Sequence, residues 1–413
     1  MIGHSKKLDK MMMLIWVYSS FLLSFNELLA LAFPKTITRG ICIFLIACGL
    51  FSCLKEENWR IEFDNESTLV FVYLAYVLCR GVIQIIGGNI TSATSVSFGQ
   101  TLVPIFVFFI ARQISRHATY ESETVFCAFS DVSILMGLVD SHIHFLPSIG
   151  SFSGGLYANV GNVLAMRSYS MAGNALVTGF IGTLSICFVI SNRNKIFKYI
   201  TIIIGIYGVL SSLSRGAFAM LIIFLFSYFV CNVISSNRMV KKRTFLATLV
   251  VVIIVVTGIL MNLNRITSST AFGRLFKVGL SSSDGSNSYR TLFHRMAISA
   301  IAQNPIFGKG FGFTGYQAIQ NNVNGYINTE SYILSLAICI GIVGLILFLV
   351  ITAYALIASF VNVKSSCDGK EYKYACIVLG ILIWSFMYII LDSDLNAIFF
   401  WYCIGKIWNR NCQ

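Results

Sequence analysis

The sequence predicts an all-α, polytopic membrane protein of about twelve transmembrane helices. Of its 413 residues 56% are hydrophobic and 11% charged, where soluble domains carry roughly 25% charged residues. Mean hydropathy is +0.78. The apolar residues fall in runs of roughly 17 to 25, the length that crosses a hydrocarbon core. No run alternates apolar and polar residues as an outer-membrane barrel strand does. The runs should therefore be helices, which satisfy their backbone hydrogen bonds internally. Short polar stretches separate them, without an internal repeat or low-complexity tract, so residues 1–413 read as a single membrane domain.

In chain order the expected spans are 11–33, 38–54, 68–87, 98–114, 123–139, 173–191, 197–213, 217–235, 244–263, 331–360, 374–391 and 395–408. In the first, Lys6 and Lys7 precede an apolar stretch ending Ala30-Leu31-Ala32, which resembles a signal-peptide cleavage site. Asn26 and Glu27 interrupt it, so the span is expected to be retained. Two connections exceed turn length: 140–172, and 264–330 between the ninth and tenth spans.

Charge sets the orientation. With the N-terminus inside, the cytoplasmic segments hold 19 of the 30 Lys and Arg, among them Lys6, Lys7, Arg112, Arg193, Lys241, Lys242, Lys373 and Lys406. The short outer loops hold only Lys35, Arg39 and Arg215. This positive-inside bias places both termini in the cytoplasm. The net charge of +13 is thus mostly a topology signal, and without an aromatic-and-basic binding motif it points to no nucleic-acid partner. The loop 264–330 departs from the bias, with Arg265, Arg274, Lys277, Arg290, Arg295 and Lys309 against Asp284 and Glu330. A basic loop beside a membrane points to an anionic partner, and the phosphate of membrane lipids is the nearest.

The twelve cysteines lie in spans or on the inner face, so they read as small packing residues and not as a disulfide framework. No Cys-x-x-Cys pair suggests metal or redox chemistry. Asp140, His142 and His144 are too close together to surround one ion easily. Asp392-Ser393-Asp394 has the form of a metal-binding Asp-x-Asp. Gly308-Lys309-Gly310-Phe311-Gly312 looks like a phosphate loop, but no strand precedes it and no Walker spacing follows, so it reads as a tight loop. No cofactor is expected. Glu27, Arg80 and Asp131 fall inside spans, where polar groups mark function or pairing, and Arg80 is expected to pair with Asp131 or Glu27.

Four segments carry a resemblance. Arg167-Ser168-Tyr169-Ser170-Met171-Ala172-Gly173-Asn174 and Leu213-Ser214-Arg215-Gly216-Ala217 are two of them. The third is Tyr289-Arg290 followed by Asn304-Pro305-Ile306-Phe307-Gly308-Lys309-Gly310-Phe311-Gly312. The fourth is Glu330-Ser331-Tyr332-Ile333 followed by Gly341-Ile342-Val343-Gly344. In order and placement, over roughly 160–350, they resemble the O-antigen ligase and polymerase family of bacterial inner membranes. One departure stands out. The ligases have a His three residues before the Tyr of the fourth segment, and here that position is Thr329, with Glu330 next.

The resemblance implies a glycosyltransferase of GT-C-like fold that works without a metal in the inner membrane of a Gram-negative bacterium. Its substrates would be undecaprenyl-diphosphate-linked glycans, and a chain-length regulator membrane protein would be a partner. The missing His favours a polymerase of repeat units over a ligase that joins glycan to lipid A core; a lipid-linked glycan flippase or other transporter is the alternative of another class. Arg167, Arg215 and Arg290 are the expected diphosphate ligands, since the guanidinium fork fits phosphate oxygens. Glu330 is the expected catalytic base and His294 the second choice. Asn174 and Tyr332 are expected at the glycan.

Overall fold

The computed structural model describes residues 2–56, 64–88, 91–143, 157–160, 163–166, 170–235, 285–315, 323–361, 363 and 372–408. The first five helices are α1 (Ile2–Ala32), α2 (Lys35–Glu56), α3 (Asn65–Ile86), α4 (Ser92–Ala111) and α5 (Arg116–Ile143). After them come α6 (Ala175–Val189), α7 (Lys195–Ser211), α8 (Arg215–Ser235), α9 (Gly285–Gln303), α10 (Tyr332–Val361), α11 (Tyr372–Met387) and α12 (Asp394–Ile407). Eleven of the twelve expected spans coincide with these helices, all but α9. The remaining span, 244–263, lies outside the described residues, as does 264–284 of the long loop. Among the described residues, six helices are long and apolar enough to cross a membrane, and Ala175–Val189, Tyr372–Phe386 and Leu395–Ile407 are shorter apolar helices. The protein is a polytopic helical membrane protein.

The connection at 140–172 holds more order than its sequence suggests. Helix α5 runs on to Ile143, and β1 (Tyr157–Val160) pairs antiparallel with β2 (Val163–Met166), Tyr157 opposite Met166. Four-residue strands are too short to show a period-2 pattern. Beyond the ribbon, Met171 tucks between α1 and α5: its N–H donates to Ser133 O at 3.3 Å, and its carbonyl accepts from Leu28 N at 3.4 Å. Helix α1 departs from helical geometry at Phe25, beside Asn26, and Phe25 and Met171 share a small apolar cluster.

Local sequence starts several helices. Asp64 Oδ1 accepts from Ser67 N at 2.8 Å ahead of α3, and Thr91 forms a reciprocal capping box with Thr94 ahead of α4. Asn194 caps α7. Each cap meets one of the N–H groups that a first helical turn leaves unpaired.

The core forms around α12, the shortest and last of the expected spans. Trp16 is fully buried and meets Tyr402 at 4.0 Å and Phe399 at 4.8 Å between ring centroids. Its Nε1 donates to Ser122 O at 2.7 Å, which ties α1 to α5. Trp401 stacks on Tyr73 of α3 at 5.8 Å. Gly405 lets α12 press against Phe108 and Ala111 of α4, where an added Cβ would meet Ala111 Cβ at 2.7 Å. Cys127, Cys187, Cys376 and Cys403 are buried as packing residues.

One end of the bundle is held by buried charge. Arg112, at the end of α4, donates to Asp64 Oδ1 at 3.0 Å, to Ser67 Oγ and to Trp408 O at 3.0 Å. Partial burial would raise the Asp64 carboxyl, but the Arg112 and Ser67 hydrogen bonds outweigh it and hold it well below the usual carboxylate range. At the same end Lys373 Nζ meets Glu123 Oε2 at 2.6 Å and Ser191 Oγ at 2.9 Å, and Tyr374 donates to Glu123 Oε1 at 2.7 Å. Glu123 and Lys373 are 4% exposed each. Removing one partner of such a pair costs roughly 3–5 kcal/mol because a buried charge is left alone. Lys373→Met should therefore lower the thermal midpoint in detergent sharply, and Glu123→Gln/Lys373→Met should regain most of that loss. A double variant no better than the single would remove buried charge as the cause.

Candidate functional site

The opposite end of the bundle holds the described residues of the four sequence segments. The Ser-Arg-Gly-Ala turn joins α7 to α8. Leu213 adopts φ 49, reversing the chain after Ser212 donates to Val209 O at 2.7 Å. Ser214 Oγ accepts from Ala217 N at 3.4 Å and caps α8. That leaves Arg215, half-buried, as the first residue of the helix. Gly216 is required because a Cβ there would lie 1.8 Å from Trp384 Nε1 of α11. Ala217 lies where a Cβ on Gly179 of α6 would meet it at 2.6 Å. The two small residues let α6 and α11 close on α8 and fix the place of Arg215.

Arg290 and Glu330 form an ion pair, Arg290 Nε donating to Glu330 Oε2. Their side chains are 26% and 35% exposed, so the pair stands at an open margin. Tyr388, just beyond α11, completes it. Arg290 Nη2 donates to the Tyr388 hydroxyl at 3.3 Å, and the guanidinium sits 5.0 Å from that ring's centroid. Burial disfavours the Arg290 charge, but Tyr388 and Glu330 more than offset it and raise its pKa. The backbone holds this group in place: Tyr332 N donates to Tyr388 O at 3.2 Å and Ser331 Oγ to Ser385 O at 3.4 Å. Tyr388 in turn meets Trp384 edge-on at 6.4 Å, and Trp384 covers Gly216. A continuous line of contacts thus runs from Glu330 through Arg290, Tyr388 and Trp384 to the residue beside Arg215.

Residues 304–315 turn tightly, as their glycines suggest, with Gly308 N donating to Asn304 O at 3.0 Å, and form a strap threaded between helices. Helix α10 breaks at Gly341, φ 73 and ψ −179, and the strap docks into the break. Lys309 N donates to Ile338 O at 2.6 Å and Ile342 N to Pro305 O at 2.8 Å. Tyr76 of α3 donates to Ile340 O at 2.7 Å. A Cβ on Gly341 would sit 2.0 Å from Ile306 O. Further along, Gly310 passes Gln84, whose amide brackets Phe311 by donating to its carbonyl at 2.9 Å and accepting from its N–H at 2.7 Å. Gly312 passes the first turn of α4, and Gly315 lies against the Asp392 carboxylate. The spacing Gly-x-Gly-x-Gly is steric, each glycine marking a close crossing.

The structure brings together Arg290, Glu330 and Tyr332, and joins Arg215 to them through Trp384. Glu330, the expected base, is held by Arg290. Tyr332 is 8% exposed and packs on Phe348 at 5.9 Å, a core position. Asn174 caps α6, its Oδ1 accepting from Leu176 N at 2.8 Å. His294 lies one helical turn after Arg290, on the same face of α9, with its Nε2 buried and without a hydrogen bond among the described residues. Arg167 lies outside the described residues, as do the side chains of Glu27, His142 and Asp394. Of the two partners expected for Arg80, Asp131 does not pair with it, and the Glu27 side chain lies outside the described residues. Asp131 accepts from Thr201 Oγ1 at 2.6 Å, between α5 and α7, whereas Arg80 Nη2 donates to Gly308 O at 3.4 Å. Tyr388 and Trp384 were missed because aromatic residues near a span end are common membrane-interface anchors.

Fold and site together define a multi-pass helical membrane protein with arginine–carboxylate chemistry at one face. Residues 200–349 match the family described as O-antigen ligase, consistent with the O-antigen ligase and polymerase superfamily. The matched stretch contains Arg215, Arg290, Glu330, the strap and the break at Gly341. Members of that family are glycosyltransferase-like enzymes, and the match does not separate its ligases from its polymerases. No curated protein matches the chain.

Asp392 gives this face a pH signature. Burial pushes its carboxyl up from 3.8 to about 6. A raised carboxyl adds stability below its unfolded pKa and loses it as pH rises through the folded one. The loss should fall between about pH 4 and pH 6. Asp392→Asn should accordingly raise the thermal midpoint at pH 7.5 and leave it unchanged near pH 4. Equal shifts at both pH values would remove ionisation as the cause.

Proposed function

We propose that the protein is a polymerase of undecaprenyl-diphosphate-linked oligosaccharide repeat units, working at the periplasmic face of a Gram-negative inner membrane with both termini in the cytoplasm. The observation that carries this reading is the Arg290–Glu330 pair beside Tyr388, with Thr329 where the ligases have His. An anion-binding arginine and a carboxylate are what glycosyl transfer from a lipid diphosphate needs.

The acceptor is a lipid-linked repeat unit. Its hydroxyl oxygen attacks the anomeric carbon of the donor glycan and forms the new glycosidic bond. The bond from that carbon to the diphosphate oxygen breaks, and undecaprenyl diphosphate leaves with the bonding electrons. Arg290 and Arg215 offset the charge that develops on the leaving group. When the diphosphate engages Arg290, Glu330 loses its cation partner and takes the proton of the attacking hydroxyl. Arg290 thus serves as ligand and as the group that holds Glu330 until the donor arrives. A ligase reading, favoured by the description of the matched family, would use the same arginines with lipid A core as acceptor.

The banding of extracted lipopolysaccharide tests the reading. A null strain should show single repeat units on the lipid A core. Loss of all glycan from the core, with lipid-linked chains accumulating, would establish a ligase. Lipid-linked units trapped on the cytoplasmic side would establish a flippase. In a reconstituted assay Glu330→Gln should lower kcat by about 10²–10⁴-fold, and Arg290→Gln should chiefly raise KM for the lipid-linked donor. An unchanged kcat for Glu330→Gln would remove Glu330 as the base.

A further inference from the structure

Arg80 lies in α3, six residues before Ile86, so roughly 9 Å below the end of the helix at 1.5 Å per residue. A guanidinium at that depth is costly unless an anion or several acceptors meet it. Among the described residues it has neither. Its hydrogen bond is to Gly308 O, long at 3.4 Å, and its Nε is buried without a partner. The Tyr76 hydroxyl next to it is committed to Ile340 O, and the Gln84 amide to Phe311.

The surface around Arg80 is apolar and open. Ile83 is 57% exposed, Ile306 and Phe307 of the strap are 56% each, and Ile342 beside the break in α10 is 40%. A cation with unused donors, bordered by exposed apolar side chains from three elements, has the chemistry of a lipid with a phosphate head. A long arginine side chain reaches toward the membrane interface from such a depth. The guanidinium fork takes two phosphate oxygens at once, and an isoprenoid tail would lie along Ile83 and Phe307.

The site shares no side chain with the Arg290–Glu330–Tyr388 group. Along α10, the break at Gly341 where the strap docks is nine residues from Tyr332, roughly 14 Å away. Glycosyl transfer between two lipid-linked glycans needs two diphosphate heads held at once, and Arg215 and Arg290 account for one. We propose that Arg80, with the strap residues Ile306–Gly308, forms a second lipid-diphosphate subsite, which holds the lipid carrier of the acceptor glycan. This assignment of donor and acceptor rests on the polymerase reading; the second diphosphate site rests on Arg80 and its surroundings.

The test uses the full-length protein in nanodiscs of zwitterionic lipid, titrated with undecaprenyl diphosphate and followed by native mass spectrometry. Wild type should bind two molecules, Arg80→Gln one and Arg290→Gln one. Gln keeps an N–H to donate to Gly308 O, so the thermal midpoint of Arg80→Gln should match wild type. Arg80→Lys keeps the charge without the fork and should weaken the second molecule about tenfold; if Arg80→Gln does not fold, that weakening decides the matter. Two molecules still bound to a folded Arg80→Gln would overturn the proposal. So would displacement of the Arg80-dependent molecule by phosphatidylglycerol or by inorganic pyrophosphate, since the occupant would then be a bulk headgroup or free phosphate. In turnover, Arg80→Gln should raise KM for the lipid-linked acceptor with kcat little changed. A wild type that binds two molecules and polymerises nothing would retain the subsite and remove the polymerase reading; one that polymerises while binding a single molecule would do the reverse.

Discussion

The strap seated in the break of α10 is the constraint on which this face of the molecule depends. A helix broken inside a membrane leaves carbonyl and N–H groups that lipid cannot satisfy. Here Ile338 O, Ile340 O and Ile342 N all find partners, from Lys309, Tyr76 and Pro305. The break is possible because the strap fills it, and the strap is ordered because the break receives it. Neither has a reason to hold its shape alone. Gly341 sits at φ 73, where an L side chain is strained, and a Cβ would also strike Ile306 O.

The candidate site hangs from that joint. The strap enters from α9, so seating it places Arg290 at the mouth of α10, where Glu330 and the Tyr332 N–H are fixed against Tyr388. It leaves past α3 and α4, which fixes Gln84 and gives Arg80 a carbonyl contact. The far end of the bundle uses a different device, buried ion pairs about Arg112 and Lys373. One end is stapled by charge that no ligand needs to reach. The other keeps its charged pair at an open margin, with Arg290 and Glu330 partly exposed.

Much of this was legible in the chain. Apolar runs fixed which segments become helices, since crossing a hydrocarbon layer sets a minimum length, although α1, α4 and α5 begin six to nine residues before the expected spans. Arg215, Arg290 and Glu330 stood out because charge is rare here and fell in motifs that resemble a known family. What failed was pairing. Arg80 and Asp131 looked complementary as intramembrane charges, yet Asp131 meets Thr201 and Arg80 meets the strap. The glycines of 308–312 marked a tight loop, but sequence shows permissive backbone and not which helices pass beside it.

The sequence by itself determined which apolar segments become helices, the polar and apolar segregation and the identity of the charged residues, because membrane solvation acts on each segment separately. Only the tertiary structure decided that Glu330 belongs to Arg290, that Tyr388 and Trp384 carry contact from one arginine segment to the other, and that the strap belongs in the break of α10. Glu330 lies 40 residues from Arg290, Tyr388 98 from Arg290, Trp384 168 from Gly216 and Ile338 29 from Lys309. Hydropathy and local spacing carry no record of contacts that form only when helices pack.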